Sequence, residues 1–221
     1  MIYRSFLALA MLFAAGAVLA QDAAADLTEL KITLPRPLFT GTPKELKTPN
    51  LEPSRNGEKR PPFMAAKGLV NLAAKKSVTS SDNEPVVGDL ECITDGDKEG
   101  IEGSYVELGP GTQWVQIDLE KKATIHAIVL WHFHSQARVY RDVVIQTADD
   151  PDFIMNVKTI FNNDHDNSSG LGVGKDYEYI ETYEGRLIPV PAVSAQYLRF
   201  YSNGNTSDDM NHYIEIEVFG K

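Results

Sequence analysis

Apolar and polar positions alternate most regularly between Trp114 and His134, in the stretch WVQIDLEKKATIHAIVLWHFH. Val115, Ile117 and Leu119 take turns with Gln116, Asp118 and Glu120, the period of two that gives a strand one buried face and one wet face. Beyond Lys121-Lys122, Ile125, Ala127, Val129 and Trp131 are interleaved with Ile128 and Leu130. The middle of this second run is apolar on both faces, which predicts a central strand buried on each side. The charged pair between the two runs predicts a hairpin turn.

Further short strands are expected over Val139–Thr147, Ile154–Phe161, Tyr177–Ile188, Ala195–Ser202 and Tyr213–Phe219. Segments rich in Gly, Asp, Asn and Ser separate them, notably Gly88–Gly111 and Asn162–Lys175, and these read as surface loops. No long stretch shows helical periodicity, and there is no internal repeat. The pattern therefore predicts an all-β domain over 68–221, built as an antiparallel β-sandwich.

The chain before residue 68 has a different texture. Residues 1–20 read as a signal peptide: Arg4, an apolar run from Phe6 to Leu19, and the small-residue end Val18-Leu19-Ala20. Export, to the periplasm or the medium, is the expected localisation. Residues 21–67 read as a Pro-rich extended linker, because Pro35, Pro37, Pro43, Pro49, Pro53, Pro61 and Pro62 recur too often for helix or central strand. Only Leu27–Leu34 looks strand-like. Either the segment is a plain spacer, or Leu38-Phe39 and Pro62-Phe63-Met64 dock on the domain.

The net charge of −10 argues against nucleic acid and anionic membranes as partners, since a phosphate backbone needs neutralising cations. It suits a soluble exported protein with no membrane insertion. Cys92 is the only cysteine, so no intrachain disulfide can form; its apolar neighbours Leu90 and Ile93 suggest a buried thiol.

Several motifs, taken in order, resemble the discoidin domain, also called the coagulation-factor type C domain, and the related galactose-binding-like carbohydrate-binding modules. They are Asn71-Leu72-Ala73, Val78-Thr79-Ser80-Ser81, Ile93-Thr94-Asp95-Gly96-Asp97 and Trp114-Val115-Gln116-Ile117-Asp118-Leu119. Tyr140-Arg141-Asp142-Val143, Gln146-Thr147-Ala148-Asp149-Asp150 and the terminal Glu215-Ile216-Glu217-Val218-Phe219-Gly220 continue the series. The resemblance covers 68–221 and implies a jelly-roll sandwich whose loops at one end hold a ligand, with carbohydrate foremost and a cell-surface protein as the other partner class. It implies no catalysis. Gly103-Ser104-Tyr105-Val106 stands where the family has a Thr-x-Trp-like element, and the loop Asn162–Lys175 is long for the family. Both departures fall where ligands would be held.

Asp95-Gly96-Asp97 sets two carboxylates about a glycine that permits a sharp bend, and hard oxygens are what calcium takes. The resemblance implies a structural calcium on Asp95, Asp97 and Glu215, with backbone carbonyls near Ile93 and Ser104; the alternative is an acidic solvated turn.

Sugar sites need apolar faces together with directional donors and acceptors. His132 and His134 share one strand face, with Arg138 and Arg141 beyond the following turn. Asn162, Asn163, Asp164, His165, Asp166 and Asn167 could meet them from one loop, and Asn203, Asn205, Asp208, Asp209, Asn211 and His212 form another polar loop before the last strand. The competing reading puts Trp131 and Phe133 in the core and treats the Asn/Asp runs as turn formers. A third reading makes His132, His134, His165 and His212, with Asp164 or Asp166, the ligands of a metal-dependent hydrolase, since His-x-His on one strand suits a transition metal. Nothing resembles a nucleophile elbow or a zinc-protease helix.

Overall fold

The two alternating runs form one strand. In the computed structural model, which describes residues 26–38 and 46–221, residues Gln113–Trp131 are continuous. In chain order the strands are β1 (Leu27–Glu29), β2 (Met64–Ala66), β3 (Val70–Asn71), β4 (Val78–Ser80), β5 (Val106–Leu108) and β6 (Gln113–Trp131). They are followed by β7 (Val144–Ala148), β8 (Lys158–Asn162), β9 (Arg186–Ser202), β10 (Asn211–Tyr213) and β11 (Glu215–Gly220). The one helical element among the described residues is a 3-10 turn, Leu90–Thr94. The signal-peptide stretch and Phe39 lie outside the described residues.

The predicted hairpin at Lys121-Lys122 is corrected. Both halves of β6 pair antiparallel with the same neighbour, Gln113–Asp118 with Tyr197–Ser202 of β9 and Ala123–Leu130 with Arg186–Ala195. The chain therefore does not reverse; the register slips between Asp118 and Ala123, and Glu120 takes φ +66°. A two-residue hairpin wants Asn-Gly or its like, which Glu-Lys-Lys does not supply, so the extra residues are absorbed as a bulge. Of the other expected strands, those over Val139–Thr147 and Ile154–Phe161 shift and shorten to β7 and β8, the end of Tyr177–Ile188 runs on into Ala195–Ser202 as β9, and Tyr213–Phe219 is divided between β10 and β11. In β7 and β8 the flanking residues turn into loops, and Asp150 accepts the amides of Asp152, Ile154 and Met155. Tyr177–Tyr183 carries no strand.

The main sheet runs β3-β11-β6-β9-β7-β8, with β4 on the other half of β6. β5 and β10 form a separate antiparallel pair that brings Val106, Leu108 and Tyr213 onto the same core as Ile117, Ile128, Ile145, Leu198 and Phe200. This is an all-β, antiparallel sandwich. The far side of β6 is covered too. Ala127, Val129 and Trp131 lie with Ile214 and Phe219, and Leu30, Ile32 and Phe63 of the proline-rich segment close over them. That segment is tied down by Lys98, whose Nζ donates to Thr33 O (3.2 Å), pairs with Glu217 (2.7 Å) and sits 5.0 Å from the Trp131 ring centre. Leu38 and Met64 stay exposed.

Trp131 fixes one local constraint. Its Nε1 donates to Tyr183 O at 3.0 Å, and Gly185, at φ +64°, passes directly beneath the ring. A Cβ at Gly185 would meet Trp131 Cε2 at 2.5 Å. Gly185→Ala adds an overpacked contact to an unfavourable left-handed backbone, and we expect it to lower stability by about 3 kcal/mol in urea unfolding.

Candidate functional site

Three loops meet at one end of the sandwich, and backbone pairing sets their positions. Arg141 N donates to Gly204 O and Asn203 N to Arg141 O (3.0 and 2.9 Å), while Tyr140 bridges to Asn205. Val143 and Asn163 bond reciprocally: Asn163 N donates to Val143 O, and Val143 N donates to Asn163 Oδ1 at 2.7 Å. Asp142 is the knot. Held at φ +52°, its Oδ2 accepts from Asn203 Nδ2 and from Ser168 Oγ, both at 2.8 Å, so one carboxylate joins the loops at 142, 168 and 203. The long loop is shaped from within by Asp164, fully buried, which accepts the amides of Ser168 and Ser169 and the Ser169 hydroxyl. Burial works to raise the Asp164 pKa, but these hydrogen bonds outweigh it and hold it below the usual carboxylate range.

A cleft of about 700 Å³ opens between these loops. Arg141, Asp142, Asn163, His165, Asp166 and Asn203 line it from the sandwich side. The proline-rich segment supplies another wall, Lys47 to Asn50, anchored where Glu178 N donates to Asn50 O, Glu52 N donates to Glu178 O and Glu178 Oε2 accepts the Asn50 amide. Of the expected ligand residues, then, Arg141, Asn163, His165 and Asn203 converge. Asp166, expected from the long loop, joins them, whereas Asp142, Glu178 and the 47–50 wall are not marked in the sequence as parts of the site. Asp142 was visible only as part of the Tyr-Arg-Asp-Val motif, and nothing in the sequence placed 47–50 there.

The remaining candidates lie inside. His132 and His134 are fully buried, so the expectation that they face a ligand is corrected. His132 Nδ1 lies 2.6 Å from Glu181 Oε1 and its ring stacks on Tyr140 at 4.2 Å; His134 Nε2 lies 2.8 Å from Lys98 O. Arg138, 7% exposed, bonds Asp208 at 3.1 Å and lies over Phe133. Asn205 builds a tight turn by accepting the amides of Ser207 and Asp208. The chain beyond β6 continues between packed aromatic side chains, and each of these residues finds at least one partner in the protein, while His132 Nε2, His134 Nδ1 and Arg138 Nε have none among the described residues.

His212 belongs to this interior group. Its Nδ1 lies 2.9 Å from Tyr140 Oη and its Nε2 3.0 Å from Glu107 Oε2, a pair of contacts that a neutral ring satisfies by accepting at one nitrogen and donating at the other. The histidine centre imagined from the sequence does not form. Among the described residues, the group of three whose ligand atoms come within 4.8 Å of one another is Asp142, Asp164 and Asp166.

At the acidic loop, Glu215 Oε2 accepts the Gly96 amide at 3.0 Å, Asp95 Oδ1 accepts the Asp97 amide at 2.7 Å, and Asp97 Oδ2 accepts the Ser104 hydroxyl at 2.8 Å. Glu215 is fully buried, its Oε1 has no partner among the described residues, and burial pushes its pKa up to about 8. Ile93 is buried at the end of the 3-10 turn. Burial likewise raises the Cys92 thiol.

No protein-family model matches the chain, and no curated protein does. Solved structures are similar. CpGH89CBM32-4, produced by Clostridium perfringens and in complex with GlcNAc-alpha-1,4-galactose, is 19% identical with a TM-score of 0.51, over 70% of this chain and 96% of that one. A selenomethionine-labelled mutant of chitosan-binding module 1, from a chitosanase/glucanase of Paenibacillus sp. IK-5, is 21% identical with a TM-score of 0.50, over 68% and 98%. The family 89 glycoside hydrolase from Clostridium perfringens is 21% identical with a TM-score of 0.52; the likeness covers 69% of this chain but only 15% of the hydrolase. At these identities the likeness shows the fold, a galactose-binding-like (discoidin-like) β-sandwich. No helix among the described residues is long and apolar enough to cross a membrane.

Burial lowers the His212 pKa from 6.5 to about 4, with the Arg138 charge adding to the effect. Between those two values the unfolded chain binds the proton and the folded chain does not, so stability falls as pH drops through this window and levels off below it. We expect this limb to amount to on the order of 2–3 kcal/mol and to flatten in His212→Gln, as read from denaturant unfolding against pH.

Proposed function

We propose that this chain is an exported, non-catalytic carbohydrate-binding module that holds a glycan in the cleft around Asp142. The observation that carries the reading is the meeting of three loops, tied by one carboxylate, at an end of a sandwich whose structural neighbours include modules solved with, or named for, sugars. Arg141, half-exposed and only loosely paired with Asp209 at 3.9 Å, offers a free planar donor. Asn203 and His165 add directional polar groups. Asp142 and Asp164 are engaged in holding loops, which suits binding rather than acid–base chemistry. A glycan array with the purified protein should give specific hits. Arg141→Ala should weaken them roughly tenfold or more while leaving unfolding unchanged. Silence across the array, with a protein recovered instead, would replace this reading with an interaction module.

A structural calcium belongs to the same proposal. The donor set at the acidic loop is all oxygen, and the unpartnered Oε1 of buried Glu215 is the group a cation would satisfy. Asp95, Asp97 and Glu215 would hold the ion, whose charge would pin the loop against β11. Calcium at about 100 times its dissociation constant should add about 2.7 kcal/mol, a chelator should remove it, and Glu215→Gln should abolish the response in calorimetric melting. An unchanged midpoint on chelation would count against the site.

A further inference from the structure

We infer that the glycan held in the cleft carries free primary amines, a protonated amino sugar seated against Asp142 and Asp166. This rests on the carbohydrate reading and narrows it. Among the described lining residues, Asp142, Asp166, Glu178 and Asp209 outnumber Lys47 and Arg141, and Arg141 already leans toward Asp209. Asp142, Asp164 and Asp166 each bring a carboxylate oxygen within 4.8 Å of the others. Three like charges at that separation repel one another, and a cation among them offsets the repulsion. Asp164, fully buried with both oxygens engaged, adds charge rather than a contact, and a protonated amine offers its donors to the lining carboxylates Asp142 and Asp166.

Asn163 supplies the second, independent observation. It lines the cleft, is only 3% exposed, and its Oδ1 is used by Val143 while its Nδ2 has no acceptor among the described residues. A buried donor left without an acceptor carries a desolvation cost, which a ligand oxygen reaching Asn163 would relieve. A bare metal ion would not serve it, because a cation repels the amide hydrogens. An amino sugar provides both halves, ammonium donors for the carboxylates and hydroxyl oxygens for Asn163. No Trp, Tyr or Phe lines the cleft among the described residues, where Pro49, Pro110 and His165 are the only flat faces. Stacking on a neutral sugar ring is therefore limited, and charge is the strongest discriminating interaction left to the site.

The test compares a glucosamine oligomer with its fully N-acetylated counterpart of equal length, by calorimetry on the intact chain at about pH 6, above the carboxylate range. The amine form should bind about tenfold tighter or better, and its advantage should shrink as salt rises from about 0.05 to 0.5 M. Asp166→Asn should cut amine binding about fivefold. This variant keeps the local turn, because an Asn Oδ1 can still accept the Ser168 amide that Asp166 accepts at 2.9 Å. Equal binding of the two oligomers would overturn the inference, as would an amine preference that survives both salt and Asp166→Asn. If neutral glycans bind and Arg141→Ala weakens them while amines confer no advantage, the carbohydrate reading stands and this inference falls. If no glycan of any kind binds, both fall together.

Discussion

The structure turns on a strand that is apolar on both faces. β6 pairs along both edges, with β9 on one side and β11 or β4 on the other. One face is covered by the β5–β10 layer, but the other, with Ala127, Val129 and Trp131, would meet water unless something else lay on it. Burying such side chains is worth roughly 1.5–3 kcal/mol each, which is ample drive to bring an otherwise extended proline-rich segment down onto the sheet. Leu30, Ile32 and Phe63 provide that cover. Once the segment is drawn across the sheet, its middle part is carried past Glu178, and residues 47–50 become a wall of the cleft.

The interior beyond β6 shows how polar residues are tolerated where the apolar surface ends. His132, His134, Arg138 and His212 are all nearly or wholly buried, and each has a named partner, Glu181, Lys98 O, Asp208, and Tyr140 with Glu107. A buried donor or acceptor left alone costs about 1–3 kcal/mol, so such a group is either paired or waiting for something to pair with. Each interior histidine meets that criterion through at least one ring nitrogen, while His132 Nε2 and His134 Nδ1 have no partner among the described residues; the same holds for Glu215 Oε1 at the acidic loop and Asn163 Nδ2 at the cleft.

Much of the fold was legible in the residues themselves. Period-two alternation located β6, the end of β9 and β11, and the absence of helical periodicity fixed the class. What failed was continuity: a charged Glu-Lys-Lys break looks the same in sequence whether the chain reverses or merely bulges, and only the shared partner β9 decides between them. At the site, the Asn/Asp loops meet one another, as Asn163, His165 and Asn203 show, but not the buried His132, His134 and Arg138. The His-x-His pair misled because alternation says which residues share a face and not whether that face is covered. Here Tyr140 and Tyr213 cover it. Asp142 was hidden because its role comes from φ +52° and from two distant donors, neither of which leaves a local mark.

One segment thus lies over the outer face of the sheet and also flanks the ligand opening. A protease that clipped the proline-rich stretch would bare a greasy surface and breach the recognition rim in a single cut. Shelf life and grip on the target are consequently coupled in this molecule through a stretch of chain that belongs to neither sheet of the sandwich.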